Sequence, residues 1–172
     1  MPHLLHREKA SIASTVSRFT PLGGHFPLAM CHSTSLRDDL RVLVVDSDVD
    51  SCELLAILFA EYGIETTIAT CASEAIEQIQ QAPPDLLISE ILLPGEDGYS
   101  LIHQVKTLET ALHVQIPAIA LTAMFTGEHD RIYTLAVGFC RHLLKPFDMD
   151  ELMATVACLT GQSSAIAASA CS

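Results

Sequence analysis

The sequence predicts a doubly wound α/β domain built on a five-stranded parallel sheet. Two observations predict it: short apolar runs alternate with segments whose apolar residues recur every three or four positions, and glycine or proline separates several of them. A short run that is apolar throughout is typical of a parallel strand covered by helices on both faces. Because crossovers between parallel strands are nearly always right-handed, such repeats place helices on both faces of one sheet.

The strands and helices follow one another in regular order. Leu55, Leu58, Phe59 and Tyr62 keep the spacing of an amphipathic helix, and Gly63 is a suitable stop. The predicted strands are residues 41–45, 64–69, 85–89, 116–121 and 140–144. The other helices are expected around residues 72–79, 101–108, 128–137 and 149–159.

Both ends of the chain depart from this pattern. Residues 1–38 show no sustained helix or strand periodicity of apolar residues and are rich in Pro, Gly, Ser and Thr. We therefore expect a disordered or mobile amino-terminal arm. Residues 39–160 form the predicted domain, and the Ala- and Ser-rich residues 161–172 are expected to be a flexible tail. A chain of 172 residues with 49% apolar content is long enough for one such domain with a real core.

Composition narrows the classes of function. Residues 1–37 carry a net charge of +3, so the whole-chain charge of −12 leaves −15 for the predicted domain and tail. This acidity argues against nucleic-acid binding and favours a protein partner. The absence of a long apolar run or a secretion signal predicts a cytoplasmic protein with no membrane contact. The cysteines form no Cys-x-x-Cys pair of the kind found in zinc ribbons.

Polar side chains follow four of the five predicted strands at their carboxyl ends. They are Asp46, Ser47 and Asp48 after the first strand, Glu90 after the third, Thr122 after the fourth and Lys145 after the fifth. In open parallel sheets, ligands and chemistry collect at this edge. Carboxylates bind Mg²⁺, whereas a lysine and a hydroxyl group neutralise and hydrogen-bond phosphoryl oxygens. The sequence therefore predicts a metal and phosphoryl site here.

Four segments together resemble response-regulator receiver domains of two-component systems. They are VLVVD (42–46), PDLLISEILLPGEDG (84–98), AIALTA (118–123) and LKPFD (144–148). The resemblance covers residues 41 to about 159. It implies a flavodoxin-like sheet and a place in phosphorelay signal transduction. We therefore expect a stand-alone signalling protein rather than an enzyme.

The resemblance implies two altered positions. An acidic pair that binds Mg²⁺ in the family is matched by Asp46 and Ser47, and the phosphoacceptor aspartate is matched by Glu90. Because a neutral hydroxyl is a poor ligand for a hard dication, Mg²⁺ affinity is expected to fall, with Asp48 as a candidate partial substitute. The longer glutamate moves the carboxylate outward by about 1.5 Å. A displacement of that order can slow phosphoryl transfer by about 10²-fold.

Three further roles are implied by position. The threonine that moves toward the phosphate falls on Thr122, and the aromatic ring that moves with it is replaced by His142. The lysine that contacts the phosphate, followed by a proline in a cis peptide, falls on Lys145 and Pro146. The partner would be a histidine kinase, a phosphotransfer protein or a downstream effector. A surface over residues 128–159 is expected to bind it or to form a homodimer.

Four interpretations of the site remain open at this stage. Glu90 is expected to act as a fixed negative charge that holds an active-like state without phosphorylation. Alternatively, it pairs inertly with Lys145 in a fixed protein-binding module, or the domain is phosphorylated conventionally. A fourth interpretation is a phosphatase of the haloacid-dehalogenase type, with Asp46 as nucleophile and Asp48 as general acid.

Overall fold

The computed structural model describes residue 36, residues 39–123 and residues 127–169, with side chains given as far as residue 161. The predicted arm, residues 1–38, therefore lies almost entirely outside the described residues. The same holds for residues 170–172 at the end of the predicted tail.

Five parallel strands form one sheet in the order β2-β1-β3-β4-β5. They are β1 (Arg41–Val45), β2 (Glu65–Ala69), β3 (Leu86–Glu90), β4 (Ala118–Thr122) and β5 (Arg141–Leu144). In register, Val45 lies between Ala69 of β2 and Ser89 of β3. Because all strands are parallel, their carboxyl ends share one edge, as the sequence predicted.

A helix follows each strand, which confirms the predicted fold class. The helices are α1 (Val49–Glu61), α2 (Ala72–Gln81), α3 (Gly98–Leu112), α4 (Glu128–Ala136) and α5 (Met149–Ser169). Within the part of the chain that the structure describes, no helix combines the length and the apolar content that crossing a membrane requires.

The core consists of two apolar clusters, one on each face of the sheet. Alternate residues of β1 divide between them, since successive side chains of a strand point to opposite faces. Val42 and Val44 pack with buried residues of α1 and α5. Leu43 and Val45 pack with buried residues of α2 and α3. This division explains why β1 is apolar from Val42 to Val45.

Several element boundaries differ from the sequence prediction. β3 includes Glu90 and β4 includes Thr122, so both residues end a strand rather than follow one. The ladder decides this: Glu90 is paired with Leu121 across the sheet. β4 begins after Pro117, which has no N–H for the ladder. α5 continues to Ser169 instead of ending near residue 159, in a segment whose alanines favour helix; whether residues 161–172 are flexible stays a prediction.

Candidate functional site

Lys145 joins two nearly buried carboxylates at the carboxyl edge of the sheet. Its Nζ contacts Asp46 Oδ2 and lies 3.1 Å from Glu90 Oε2. Asp46 directly follows β1 and is 6% exposed, and Glu90 ends β3 and is 7% exposed. Lys145 directly follows β5, so its long side chain reaches back across the ends of β4 and β3. The sequence prediction that these three residues meet at one edge is confirmed.

The two carboxylates determine the charge state of the lysine. Burial by itself lowers the pKa of Lys145, because a low-dielectric environment disfavours the ammonium form. The hydrogen bonds and negative charges of Asp46 and Glu90 outweigh burial, and the net pKa lies above its usual value. Lys145 is therefore positively charged at neutral pH and partly neutralises both acids.

Both carboxylate oxygens of Glu90 are engaged. Oε2 faces Lys145, and Oε1 accepts hydrogen bonds from the backbone N–H groups of Ile91 at 2.7 Å and Leu92 at 3.2 Å. The carboxylate is thus turned back onto the first residues of the loop between β3 and α3. Two backbone donors and an ammonium therefore surround this carboxylate, and charge-assisted hydrogen bonds of this kind are stronger than neutral ones.

The loop between β3 and α3 closes directly behind Glu90. The N–H of Gly98 donates to the carbonyl of Ile91 at 2.7 Å. A Cβ atom at position 98 would lie 2.6 Å from the carbonyl oxygen of Glu90 and 2.9 Å from Cα of Ile91, both too close for any side chain. Glycine is therefore required at this position, and the site includes a residue that the sequence reasoning had not assigned to it.

Asp46 is anchored by its own backbone neighbours. Its Oδ1 accepts a hydrogen bond from the N–H of Asp48 at 2.9 Å, and its carbonyl accepts one from the buried thiol of Cys52 at 3.4 Å. Burial, together with the negative charge of Asp46, raises the pKa of Cys52 to about 11. Cys52 is thus a neutral packing residue beneath the site, in a contact that no sequence pattern indicated.

Asp48 has a structural task at the start of α1. It is the N-cap residue: Oδ1 accepts from the N–H of Asp50 at 3.2 Å, and Oδ2 accepts from the hydroxyl of Ser51 at 2.7 Å. The hydrogen bond from Ser51 is the main cause that lowers the pKa of Asp48. A lowered pKa keeps the carboxylate ionised, which is unsuited to a general acid. The phosphatase alternative therefore gains no support.

The donor atoms at this edge do not fit a Mg²⁺ ion. The cation position between Asp46 and Glu90 is taken by the ammonium of Lys145, and Ser47 offers a neutral, exposed hydroxyl. Asp48 uses both oxygens as a helix cap. Among the residues whose side chains the structure describes, no group of three or more His, Cys, Asp or Glu residues is placed to hold a metal.

The remaining predicted residues lie around this cluster. Thr122 is buried at the end of β4, and its carbonyl accepts a hydrogen bond from the N–H of Lys145 at 2.8 Å. His142 lies within β5, paired with Ala120, and burial lowers its pKa. The peptide between Lys145 and Pro146 is cis, as the resemblance implied.

These features define a class of protein: a parallel, doubly wound α/β domain with an acid-lysine-acid cluster at the carboxyl edge of its sheet. The sequence profile of the response regulator receiver domain matches residues 42–157. This chain belongs to that family.

Curated relatives agree with this assignment. A 14.6 kDa protein encoded in the sodA1 3' region of Leptolyngbya boryana is 39% identical over 117 residues, which are 68% of this chain and 87% of the relative. The response regulator SaeR of Staphylococcus epidermidis is 33% identical over 66% of this chain. The transcriptional regulatory protein ZraR of Escherichia coli is 29% identical over 69% of this chain. The match spans 47% of SaeR and 26% of ZraR, so both regulators extend well beyond the shared domain.

Solved structures show the same fold. A response regulator of Chloroflexus aurantiacus aligns with a TM-score of 0.64 and 32% identity, covering 72% of this chain and 98% of that one. The receiver domain of the Francisella response regulator 1452 aligns with the same TM-score and 30% identity, with the same coverage of both chains. The receiver fold is therefore shared across almost the whole length of these two solved chains.

Proposed function

We propose that this chain is an atypical receiver in which Glu90 replaces the phosphorylated aspartate and supplies a permanent negative charge. The observation that carries the proposal is the ion pair between Lys145 Nζ and Glu90 Oε2, 3.1 Å apart. The family resemblance implies that, in a conventional receiver, this lysine contacts the phosphoryl group. Here the longer side chain of glutamate brings its own carboxylate to the lysine.

The chemistry of Glu90 argues against its acting as a phosphoacceptor. Both of its oxygens already hold hydrogen bonds or an ion pair, and the side chain is nearly buried. A nucleophile in phosphoryl transfer must be aligned with the incoming phosphorus, and catalysis depends on that positioning and on a metal ion that neutralises charge. The site offers neither the free oxygen nor the metal ligands. We infer a signalling module without enzymatic activity.

The output of such a module passes through protein contacts. α4 and the end of β5 expose apolar side chains, among them Ile132 at 58%, Tyr133 at 55% and Leu144 at 43%. Exposed aromatic and aliphatic residues of this size are typical of binding surfaces. A histidine kinase, a phosphotransfer protein or an effector is the proposed partner, and the same surface could form a homodimer.

Phosphorylation by a small-molecule donor tests the proposal. Native protein, Glu90→Asp and the double variant Glu90→Asp with Ser47→Asp are incubated with acetyl phosphate and Mg²⁺ and read by intact mass. We expect no phosphoryl gain by native protein and a gain by the double variant, because two aspartates restore the metal ligand and the shorter acceptor. A phosphoryl group on native protein would overturn the proposal.

Partner binding separates a functional charge from an inert one. Proteins captured by the native chain are identified, and their affinity is compared for native protein and Glu90→Gln, which keeps the size and removes the charge. If the charge maintains the binding state, the affinity falls by about tenfold, equivalent to about 1.4 kcal/mol. Equal affinities would leave Glu90 as an inert partner of Lys145.

A further inference from the structure

α4 is held to the domain in an unusual way. Of its nine residues, all of them described, the buried one is Thr134, at 0% exposure. A surface helix is normally held by an apolar stripe that faces the core, as α3 is through Leu101, Ile102 and Val105. The contact made by the hydroxyl of Thr134 therefore carries an unusual share of the attachment of α4.

The hydroxyl of Thr134 meets Tyr99, near the start of α3. The two side-chain oxygens are 3.2 Å apart, and Thr134 Oγ1 also lies 2.7 Å from the backbone carbonyl of Asp130. A hydroxyl has one hydrogen, and a carbonyl can only accept, so Thr134 donates to Asp130. Tyr99 must then be the donor to Thr134. Tyr99→Phe therefore removes the donor of this hydrogen bond and leaves the bond from Thr134 to the carbonyl of Asp130 in place.

Tyr99 makes a second contact with α4 through its ring. The rings of Tyr99 and Tyr133 lie edge to face, with centroids 4.9 Å apart and planes at 78°. This geometry is favourable for an aromatic pair. Tyr133 is more than half exposed, and its ring contacts the ring of Tyr99. Tyr99 therefore supports an exposed residue of α4.

Tyr99 itself is fixed to the loop behind Glu90. It follows Gly98, where an added Cβ would lie 2.6 Å from the carbonyl oxygen of Glu90 and whose N–H donates to the carbonyl of Ile91. The N–H of Ile91 in turn binds the Glu90 carboxylate at 2.7 Å. A continuous series of contacts therefore runs from the Glu90 carboxylate through the loop to Tyr99 and Thr134.

We propose that Tyr99 is a positioning residue that holds α4 against the loop behind Glu90 through its hydrogen bond to Thr134. The link differs from the Thr122 and His142 route that the resemblance implies, because it uses α3 and not β5. Its signalling meaning rests on the proposed function of the α4 surface, but the link itself does not.

Hydrogen exchange in the isolated protein tests the link. Amide exchange of α4 (Glu128–Ala136) is followed by mass spectrometry in native protein and in Tyr99→Phe, which keeps the ring and removes the donor. A hydrogen bond of typical net strength predicts exchange about two- to tenfold faster in α4. α1 (Val49–Glu61) serves as an internal reference for global stability, and its amide exchange should be the same in Tyr99→Phe as in native protein.

Matched variants make the result specific. Tyr62→Phe removes a hydroxyl from a tyrosine at the end of α1 and should leave α4 exchange unchanged. Thr134→Ser keeps the hydroxyl and should stay near native exchange, whereas Thr134→Val loses the bonds to both Tyr99 and the carbonyl of Asp130 and should exchange at least as fast as Tyr99→Phe. The double variant Tyr99→Phe with Thr134→Val should exchange no faster than Thr134→Val alone, since the bond that Tyr99→Phe removes is already lost in Thr134→Val.

Two results would overturn the link. One is native α4 exchange in Tyr99→Phe, and the other is a multiplied effect in the double variant. No phosphodonor or partner enters this experiment. The exchange experiment can therefore contradict the link while the proposed role of Glu90 stands. The phosphorylation and binding experiments can likewise contradict that role while the link stands.

Discussion

The Glu90 site and α4 differ in the contacts that hold them in the domain. At the site, Asp46 and Glu90 are nearly buried, and Lys145 pairs with both of them. On α4, large apolar residues face solvent and a single threonine is buried. Buried charges must be satisfied on all sides to be tolerated, so the site is rigid by necessity. Elements with few buried apolar contacts open with the least free energy, so we expect α4 to open more readily than the site.

Ion pairs and hydrogen bonds hold the Glu90 site, whereas few buried contacts hold α4. Since both oxygens of Glu90 are bonded, the proposed permanent charge can change its contacts only by exchanging one of these bonds. A weakly buried helix can shift when one contact changes. We therefore expect substitutions at the site to change stability, and substitutions on α4 to change binding.

Loss of the shared cation should have the largest effect. Lys145→Met leaves two nearly buried carboxylates without their cation, and removal of one member of a buried pair typically costs about 3–5 kcal/mol. Arg131→Met on α4 removes an exposed pair with Glu128, worth less than about 1 kcal/mol. Urea unfolding at pH 7 measures both. Equal losses in the two variants would contradict the contrast between the site and α4.

Alkaline pH should weaken the site selectively. The pKa of Lys145 is raised in the folded state. The contribution of Lys145 to the free energy of unfolding is therefore fully present below the unfolded-state pKa, and it is lost as pH rises through the folded-state pKa, above about 10.5. Lys145→Arg keeps its charge throughout this range. The unfolding free energy of native protein relative to this variant should be constant from about pH 7 to 9 and should fall above about pH 10.5. Parallel curves up to pH 12 would argue against a coupled lysine.

Changes on the exposed face of α4 should affect stability least. Ile132 is 58% exposed, so Ile132→Ser should change the unfolding free energy by less than about 0.5 kcal/mol. If this face binds a partner or a second copy, the same substitution should weaken that association. Sedimentation velocity and capture of the identified partner measure it. A large loss of stability would show that α4 is packed more tightly than its exposure indicates.

Much of the site was predictable because strand ends carry positional information. Asp46, Glu90 and Lys145 were expected at one edge from strand order alone, since the carboxyl ends of parallel strands coincide. The cis peptide before Pro146 followed from the resemblance. The role of Asp48 was less accessible: a residue directly before a helix can be a ligand or a cap, and its contacts with Asp50 and Ser51 show that it is a cap.

The sequence by itself determined the alternation of strand and helix and the set of groups at one edge, because periodicity and strand polarity are local properties. Which groups bond was decided by tertiary structure. Lys145 lies 99 residues from Asp46 in the chain, and Tyr99 lies 35 residues from Thr134. Contacts over such separations depend on side-chain reach and helix placement, which no local pattern records. The proposed permanent charge and the attachment of α4 both rest on contacts of that kind.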